Sequence, residues 1–185
     1  MVVVRKAVQE DLDDVAKIYE HIHVEEERGA ISTGWIKNIY PVRKTATDSF
    51  ERNDLFVMQD EGKTVAAAII NKVQVPCYIE AAWKHRAEKN EVMVLHTLVV
   101  EPSEKRKGYG RSFVAFYEAY AEKNGCRELR MDTNSVNLNA RAMYRKLGYE
   151  EIGIVSCEFN GIPNVRLVCL EKYIGCPNCG NTVGD

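Results

Sequence analysis

The chain has 185 residues, of which 45% are hydrophobic and 28% charged, the balance of a single soluble globular domain. Its net charge of −2 argues against a nucleic-acid binder, which would need a basic face or stripe. No window reaches the ~18 apolar residues of a membrane span, and the N-terminus lacks the pattern of a signal peptide. We therefore expect a cytoplasmic protein with no nucleic-acid or membrane partner.

Hydrophobic periodicity predicts alternating helices and strands. The predicted strands are 2–5, 55–59, 64–71, 92–100, 128–132, 150–159 and 165–173, and the predicted helices are 11–25, 42–52, 112–123 and 137–147. Hairpin connections are expected at 60–63 and 160–163, and a surface excursion with an exposed charge run at 73–90. This order predicts a mixed α/β (α+β) domain, 1–173, with about seven strands flanked by helices and a parallel pair in its middle. A polar tail, 174–185, follows.

A basic loop with two glycines, 101–111, joins the apolar strand 92–100 to a helix that begins near Tyr109. Gly108 and Gly110 lack side chains where the backbone must turn and approach a ligand. The unpaired N–H groups and positive dipole end of the helix face the same point. The positive side chains around it are Lys105, Arg106, Lys107 and Arg111. The loop predicts a phosphate site, although a solvated charge run is the alternative.

A second motif lies about thirty residues downstream, where Asn139 is followed five residues later by Tyr144 and then by Leu147-Gly148-Tyr149. Together with the Gly-x-Gly loop and the strand that precedes it, this motif resembles the GNAT superfamily of acetyl-CoA-dependent N-acetyltransferases. Lys105 stands where that family usually has Arg or Gln, and Tyr149 where it usually has Phe. The resemblance in element order covers 2–173.

The resemblance implies a splayed sheet and a set of cofactor contacts. The backbone of 98–100 is expected to pair with the pantetheine arm of acetyl-CoA, and the N–H groups of 107–111 with its pyrophosphate. Asn139 is expected to hydrogen-bond the arm. The residues expected at the cofactor are Leu98, Val99, Val100, Lys105, Arg106, Lys107, Gly108, Tyr109, Gly110, Arg111, Ser112, Asn139 and Tyr144.

The implied chemistry is direct acetyl transfer to a primary amine in a ternary complex, so no cysteine nucleophile is needed. Tyr144 is expected to protonate the departing thiolate. Three hypotheses for the base remain open: His96 on the central strand, Glu91 at its beginning, or a chain of water molecules.

The acceptor is expected to be a small-molecule amine beside the aromatic side chains of Trp35, Tyr40, Tyr78 and Trp83. Acetylation of protein N-termini and a non-catalytic acetyl-CoA-binding regulator are the alternatives. A homodimer is compatible with the sequence.

The tail contains Cys176 and Cys179 in a Cys-x-x-Cys pair. Structural zinc usually needs four protein ligands, and no second such pair exists. We therefore expect no metal, with zinc completed by another chain or by Cys157 and Cys169 as the alternative.

Overall fold

The computed structural model describes residues 1–175, and these residues form a seven-stranded sheet with helices on both faces. The strands are β1 (Val3–Lys6), β2 (Leu55–Asp60), β3 (Lys63–Asn71), β4 (Val92–Val100), β5 (Glu128–Asn134), β6 (Glu150–Phe159) and β7 (Ile162–Tyr173). The helices are α1 (Leu12–Glu27), α2 (Arg43–Glu51), α3 (Tyr109–Lys123) and α4 (Leu138–Lys146). The pair Cys176 and Cys179 lies outside the described residues.

The strand order in the sheet is β1-β2-β3-β4-β5-β7-β6. The β4–β5 pair is parallel, and the other neighbouring strands are antiparallel. The parallel pair follows from the connection through α3, because a crossover helix returns the chain to the same end of the sheet. The predicted mixed sheet with an antiparallel first half is confirmed.

Alternating side chains divide the core between the two faces of the sheet, as the two-residue period of a strand requires. Leu55 and Val57 point to the face covered by α1 and α2. Phe56 and Met58 point to the opposite face, which α3 and α4 cover. None of the helices in residues 1–175 has the length and hydropathy that a membrane crossing requires.

The excursion between β3 and β4 covers part of the sheet with its own side chains. Tyr78 is only 3% exposed and packs with Val92 and Val94, on the part of the sheet that α1 and α2 leave uncovered. The predicted surface excursion is therefore wrong for Tyr78, whereas the charged side chains at 84–86 and 88–89 are exposed as expected. The burial of Tyr78 was not predicted because the aromatic and aliphatic residues of the excursion are spaced irregularly. The short 3-10 turn Pro76–Glu80 has neither a helical nor a strand period that would reveal them.

The two predicted hairpins have tighter turns than the sequence suggested. Glu61 and Gly62 both have positive φ, as do Asn160 and Gly161, so each turn has two central residues. Consequently β7 begins at Ile162, three residues earlier than predicted. Pro163 lies within this part of β7 at a register shift, where the ladder tolerates a residue without an N–H.

A single tyrosine ties α3 to the parallel pair. The Tyr117 side chain is fully buried, and its hydroxyl donates to Met93 O at 2.6 Å or to Arg130 O at 3.2 Å. These carbonyls belong to β4 and β5, so one side chain contacts both strands just before they separate.

Replacing Tyr117 with Phe is therefore expected to lower the free energy of unfolding by about 1 kcal/mol, the net value of a buried hydrogen bond. Urea denaturation measures this change. The matched control is Tyr120→Phe on the same helix, because the Tyr120 hydroxyl has no hydrogen-bond partner within 1–175 while its ring packs on Phe56 and Phe116. Equal losses in the two variants would contradict a specific role for the Tyr117 hydroxyl.

Candidate active site

The sheet opens between β4 and β5. The two strands pair from Val92 with Glu128 to Leu95 with Met131, and no further. The next residues of β4 shift register against β3, and Thr97 has a φ of 50°. Beyond this shift the 98–100 segment keeps its pairing with β3 but has none with β5. One edge of its backbone therefore faces an open gap, as the resemblance implied.

The gap widens into a cleft of about 1410 Å³. This volume exceeds the ~300–1,000 Å³ of a typical single-ligand pocket, so the cleft has room for two substrates. The predicted site residues that line it are Trp35, Tyr40, His96, Leu98, Val99, Val100, Lys105, Arg106, Gly108, Tyr109, Gly110, Arg111, Asn139 and Tyr144. Segments far apart in sequence thus converge on one cavity.

Five predicted site residues lie elsewhere. Glu91 is exposed at the opposite end of β4 from the loop, where its carboxylate accepts the N–H of Glu88 at 3.0 Å. Lys107 is absent from the lining of the cleft and pairs with Glu104 at 2.5 Å. Ser112, Tyr78 and Trp83 are also absent from that lining.

Tyr78 and Trp83 support the wall of the cleft from behind. The Trp83 indole N–H donates to Tyr78 O at 2.8 Å, and its ring lies under the Arg130 guanidinium at 4.1 Å. The Tyr78 hydroxyl donates to Asp132 Oδ2 at 2.7 Å. These two aromatic residues therefore position a carboxylate instead of presenting their rings to an acceptor.

The glycine loop leaves open space where a ligand needs it. Gly108 has a φ of 85°, and a Cβ built there would have no atom within 4 Å. At Gly110 a Cβ would lie 3.1 Å from Met143 Sδ, so a side chain would crowd α4. Ser112 N donates to Gly108 O at 3.0 Å, and the earlier N–H groups of α3 belong to the unpaired first turn.

Two arginines add unpaired positive charge to this end of the helix. Arg106 and Arg111 are exposed, and neither has an ion-pair partner within residues 1–175. Lys105, by contrast, pairs with Glu25 at 3.2 Å. The side chain of Tyr109 turns away and donates to Asp60 Oδ2 at 2.7 Å, which leaves only its backbone for the loop.

The tyrosine of the second motif is placed beside the gap. Tyr144 is 6% exposed, lines the cleft, and its hydroxyl has no hydrogen-bond partner in the described part of the chain. Burial, together with the nearby charge of Asp132, raises the pKa of the Tyr144 phenol, so it stays protonated at neutral pH. Its hydroxyl is therefore available as a donor.

The asparagine that begins α4 is Asn137, whose side chain accepts the N–H of Ala140 at 3.2 Å as a helix cap. It lies seven residues before Tyr144 and lines the cleft, as does the exposed Asn139. The spacing of five residues to Tyr144 predicted Asn139 alone, although the capping position of Asn137 is also a recognisable sequence signal.

A carboxylate that the sequence analysis missed lies at the centre of the gap. Asp132 lines the cleft, and burial raises its pKa to about 6 against the lowering effect of the Tyr78 hydrogen bond. Its charge reaches both the Tyr144 and Tyr40 phenols, and burial raises the pKa of Tyr40 to about 12. The Tyr40 hydroxyl contacts Thr97 Oγ1 across the cleft.

The predicted histidine also lines the cleft but is a weak base there. His96 Nε2 lies 3.1 Å from Asn71 Oδ1. Burial disfavours the imidazolium and lowers the pKa of His96 to about 4. The ring is therefore neutral at pH 7, as expected from its hydrophobic strand, yet holds a proton less readily than Asp132 does.

Residues 15–149 match the model of the Acetyltransferase (GNAT) family. The chain belongs to this family. The uncharacterized N-acetyltransferase MJ1207 of Methanocaldococcus jannaschii is 27% identical to this GNAT chain over 158 residues, which cover 82% of the chain and 62% of the relative. The chain thus matches less than two thirds of that relative's length. The aminoglycoside N(6')-acetyltransferase type 1 of Stenotrophomonas maltophilia is 34% identical over 64 residues, covering 35% of this chain and 42% of that protein.

Solved structures share the fold of this GNAT chain. A GNAT-family acetyltransferase from Streptococcus agalactiae superposes with a TM-score of 0.78 at 21% identity, covering 95% of this chain and 96% of the other. YncA from Salmonella typhimurium, solved with its cofactor acetyl-CoA, superposes with a TM-score of 0.67 at 13% identity, and the match covers 98% of each chain. At these identities the likeness establishes the fold alone.

Replacing Arg106 or Arg111 with Ala is expected to weaken acetyl-CoA binding about 10-fold each, the scale of one lost hydrogen bond to a charged group. Calorimetric titration at low and high salt measures this effect, which salt should diminish. Lys107→Ala is the matched control, because Lys107 carries the same charge in the same loop but does not line the cleft and is already paired with Glu104. If Lys107→Ala weakens acetyl-CoA binding as much as the arginine variants do, the loop attracts the cofactor through its overall charge and not through specific contacts of the two arginines.

Proposed function

We propose that this protein transfers the acetyl group of acetyl-CoA directly to the primary amine of a small molecule. The observation that carries the proposal is the gap between β4 and β5, into which an unpaired strand edge, the Tyr144 hydroxyl and the Asp132 carboxylate all face. Membership of the GNAT family supports the reaction class.

The edge of 98–100 matches the chemistry of the pantetheine arm, whose two amides can pair with it as a short strand would. The first turn of α3, with Gly108, Arg106 and Arg111, matches the pyrophosphate. The presence of acetyl-CoA in the structurally similar YncA supports this assignment.

The reaction begins with an ammonium that must lose one proton to expose the nitrogen lone pair. Asp132 accepts that proton, directly or through one water molecule. The amine nitrogen then attacks the thioester carbonyl carbon, a backbone N–H of 98–100 stabilises the oxyanion, and the carbon–sulfur bond breaks. The thiolate receives a proton from the Tyr144 hydroxyl, and the second amine proton passes, directly or through water, to the Tyr144 phenolate, while Asp132 releases the first proton to solvent. The products are the acetamide, free coenzyme A and one proton.

Asp132 is a better base than the two candidates from the sequence. A group whose pKa lies near the working pH accepts protons most effectively, and the pKa of Asp132 is about 6 whereas that of His96 is about 4. Glu91 lies outside the lining of the cleft, so it has no access to an amine there. We therefore assign His96 to the wall of the acceptor pocket.

The shape of the cleft favours a compact acceptor. The tip of the β6–β7 hairpin meets the connection between α1 and α2, where a Cβ on Gly161 would lie 3.4 Å from Ile39 Cγ2. The contact joins two segments that line the cleft, so that end of the cleft offers no open groove to an extended polypeptide. Trp35 and Tyr40, packed edge to face at 6.0 Å, offer an apolar wall.

Polyamines are the first acceptor class to examine. Asp132 lines the cleft without an ion-pair partner among residues 1–175, so its carboxylate can attract a cationic amine. Asp48 and Glu104 also line the cleft, but lysines already pair with them. The similarity to an aminoglycoside N(6')-acetyltransferase, although confined to 64 residues, supports a cationic small molecule.

A panel of aminoglycosides, aryl amines, aliphatic polyamines and N-terminal peptides, each mixed with acetyl-CoA and protein, tests the proposal by measuring thiol release. Turnover of small amines in preference to peptides is expected. Preferential turnover of peptides would support protein N-terminal acetylation, and tight acetyl-CoA binding with no turnover of any amine would support a non-catalytic regulator.

Tyr144→Phe is expected to lower kcat by about 10²-fold while leaving acetyl-CoA affinity nearly unchanged, because only the proton donor is lost. Steady-state kinetics and calorimetry measure the two quantities. Tyr149→Phe, at the neighbouring aromatic ring 6.0 Å away, is the control for a general loss of packing. A normal kcat in Tyr144→Phe would assign the proton to water.

The pH dependence distinguishes the two bases. A base works when unprotonated, so kcat/KM should rise with pH through about 6 and level off above it if Asp132 is the base. Asp132→Asn should abolish this rise of kcat/KM with pH and lower the kcat/KM reached above pH 6 by at least about 10²-fold. His96→Gln should show the same rise of kcat/KM with pH as the unmodified protein. If the rise is lost only in His96→Gln, the histidine is the general base.

A further inference from the structure

A second polar cluster lies at the opposite end of β5 from the gap. Glu128 is the first residue of β5, Glu171 lies on β7 and His85 lies in the excursion. One ligand atom from each residue lies within 4.8 Å of the others. In the strand register Arg130 faces Glu171, so Glu128 is the diagonal neighbour of Glu171 on the same face.

The two carboxylates are buried without adequate partners. Glu128 and Glu171 are each 1% exposed. The Oε2 atoms of both have no hydrogen-bond partner in the described structure. Burial and the adjacent Glu171 carboxylate raise the pKa of Glu128. Two adjacent buried anions without partners are costly, so the raised pKa means that one carboxyl holds a proton, which a bound cation would displace.

The basic side chains nearby are committed to other groups. Arg130 donates to Gln74 Oε1 at 2.6 Å and to His85 O at 3.2 Å, and it reaches Glu128 Oε1 only at 3.5 Å. The Lys84 ammonium contacts Glu150, so Lys84 offers Glu171 only its backbone N–H, at 2.8 Å. Neither cation is aimed at the two orphaned oxygens.

We propose that His85, Glu128 and Glu171 bind one divalent cation of the zinc class, with water completing its coordination. His85 Nδ1 lies 3.7 Å from Glu128 Oε2 and 3.8 Å from Glu171 Oε1. Bonds of about 2.0–2.2 Å in a tetrahedral site place ligand atoms roughly 3.3–3.6 Å apart, so the two distances from His85 need only a small contraction.

The surroundings suit an open site of this kind. The His85 side chain is 44% exposed, which gives water and the ion access. Its ring stacks on Tyr173 at 5.1 Å between centroids, and this contact holds the imidazole toward the carboxylates. An imidazole with two carboxylates is a donor set for zinc or manganese, not for a soft ion such as Cu(I) that prefers thiolate ligands.

The ion would fasten the excursion to the sheet. Arg130 already holds the excursion through His85 O, and Val73 and Val75 at its start line the cleft. The cluster lies about 13 Å along β5 from Asp132, four residues at roughly 3.3 Å each. We therefore assign the metal a structural role, separate from the acetyl-transfer chemistry.

Zinc titration of the full chain tests the site. Cys176 and Cys179 are first replaced with Ser so that thiol ligands cannot bind the metal, and the protein is stripped with a chelator. Calorimetry should then detect one Zn²⁺ per chain. His85→Ala and Glu171→Gln should each weaken binding by at least about 10-fold. Glu150→Gln, an exposed carboxylate that contacts Lys84, should not.

Thermal unfolding gives a second measurement. Excess Zn²⁺ should raise the Tm of the Ser/Ser protein, since the ion binds the folded state, and should not raise that of His85→Ala. Without metal, Glu171→Gln should unfold at the same Tm or higher, because one uncompensated charge is gone. His85→Ala decides the matter if Glu171→Gln does not fold, since the exposed His85 side chain supports no core packing. Failure of the Ser/Ser protein to bind zinc, or equal binding by His85→Ala, would overturn the site.

Discussion

The early end of pairing between β4 and β5 is the constraint on which the rest of the structure depends. Backbone N–H and C=O groups in the middle of a sheet normally have partners, yet 98–100 has them on one side only. The register shift beside Thr97 turns β4 away while β5 continues along β7 to Asn134. Tyr117 then holds the two strands together just before they part. The two strands are therefore paired as far as Leu95 and Met131 and separated beyond these residues.

Burial at this gap reverses the usual order of basicity of two side chains. An unperturbed carboxyl has a pKa of 3.8 and an unperturbed imidazole one of 6.5, but in this cleft the values are about 6 for Asp132 and about 4 for His96. Desolvation penalises the charged form in both cases, which raises the pKa of an acid and lowers that of a base. A residue type alone is therefore a poor guide to its role once the side chain is enclosed.

Local spacing predicted most of the fold and the part of the site that lies within single segments. The strand 92–100 and the loop glycines Gly108 and Gly110 follow from contiguous patterns. The roles proposed for Asp132, Glu128 and Glu171 escaped prediction because they depend on the strand register, which brings residues from distant segments together. Tyr78 was misplaced for a related reason: burial under an irregular segment leaves no periodic signal.

The position of the unpaired edge also has a consequence for how the protein behaves among other chains. A strand edge with free hydrogen-bonding groups is a template for association and aggregation, and proteins usually protect such edges at the border of a sheet. Here the free edge of 98–100 lies inside the sheet, between β4 and β5, beneath the packed side chains of α3 and α4. A slender ligand can enter the gap, whereas a strand of another protein with its side chains cannot. The interior position therefore keeps the edge accessible to a ligand while shielding it from pairing with a strand of another chain.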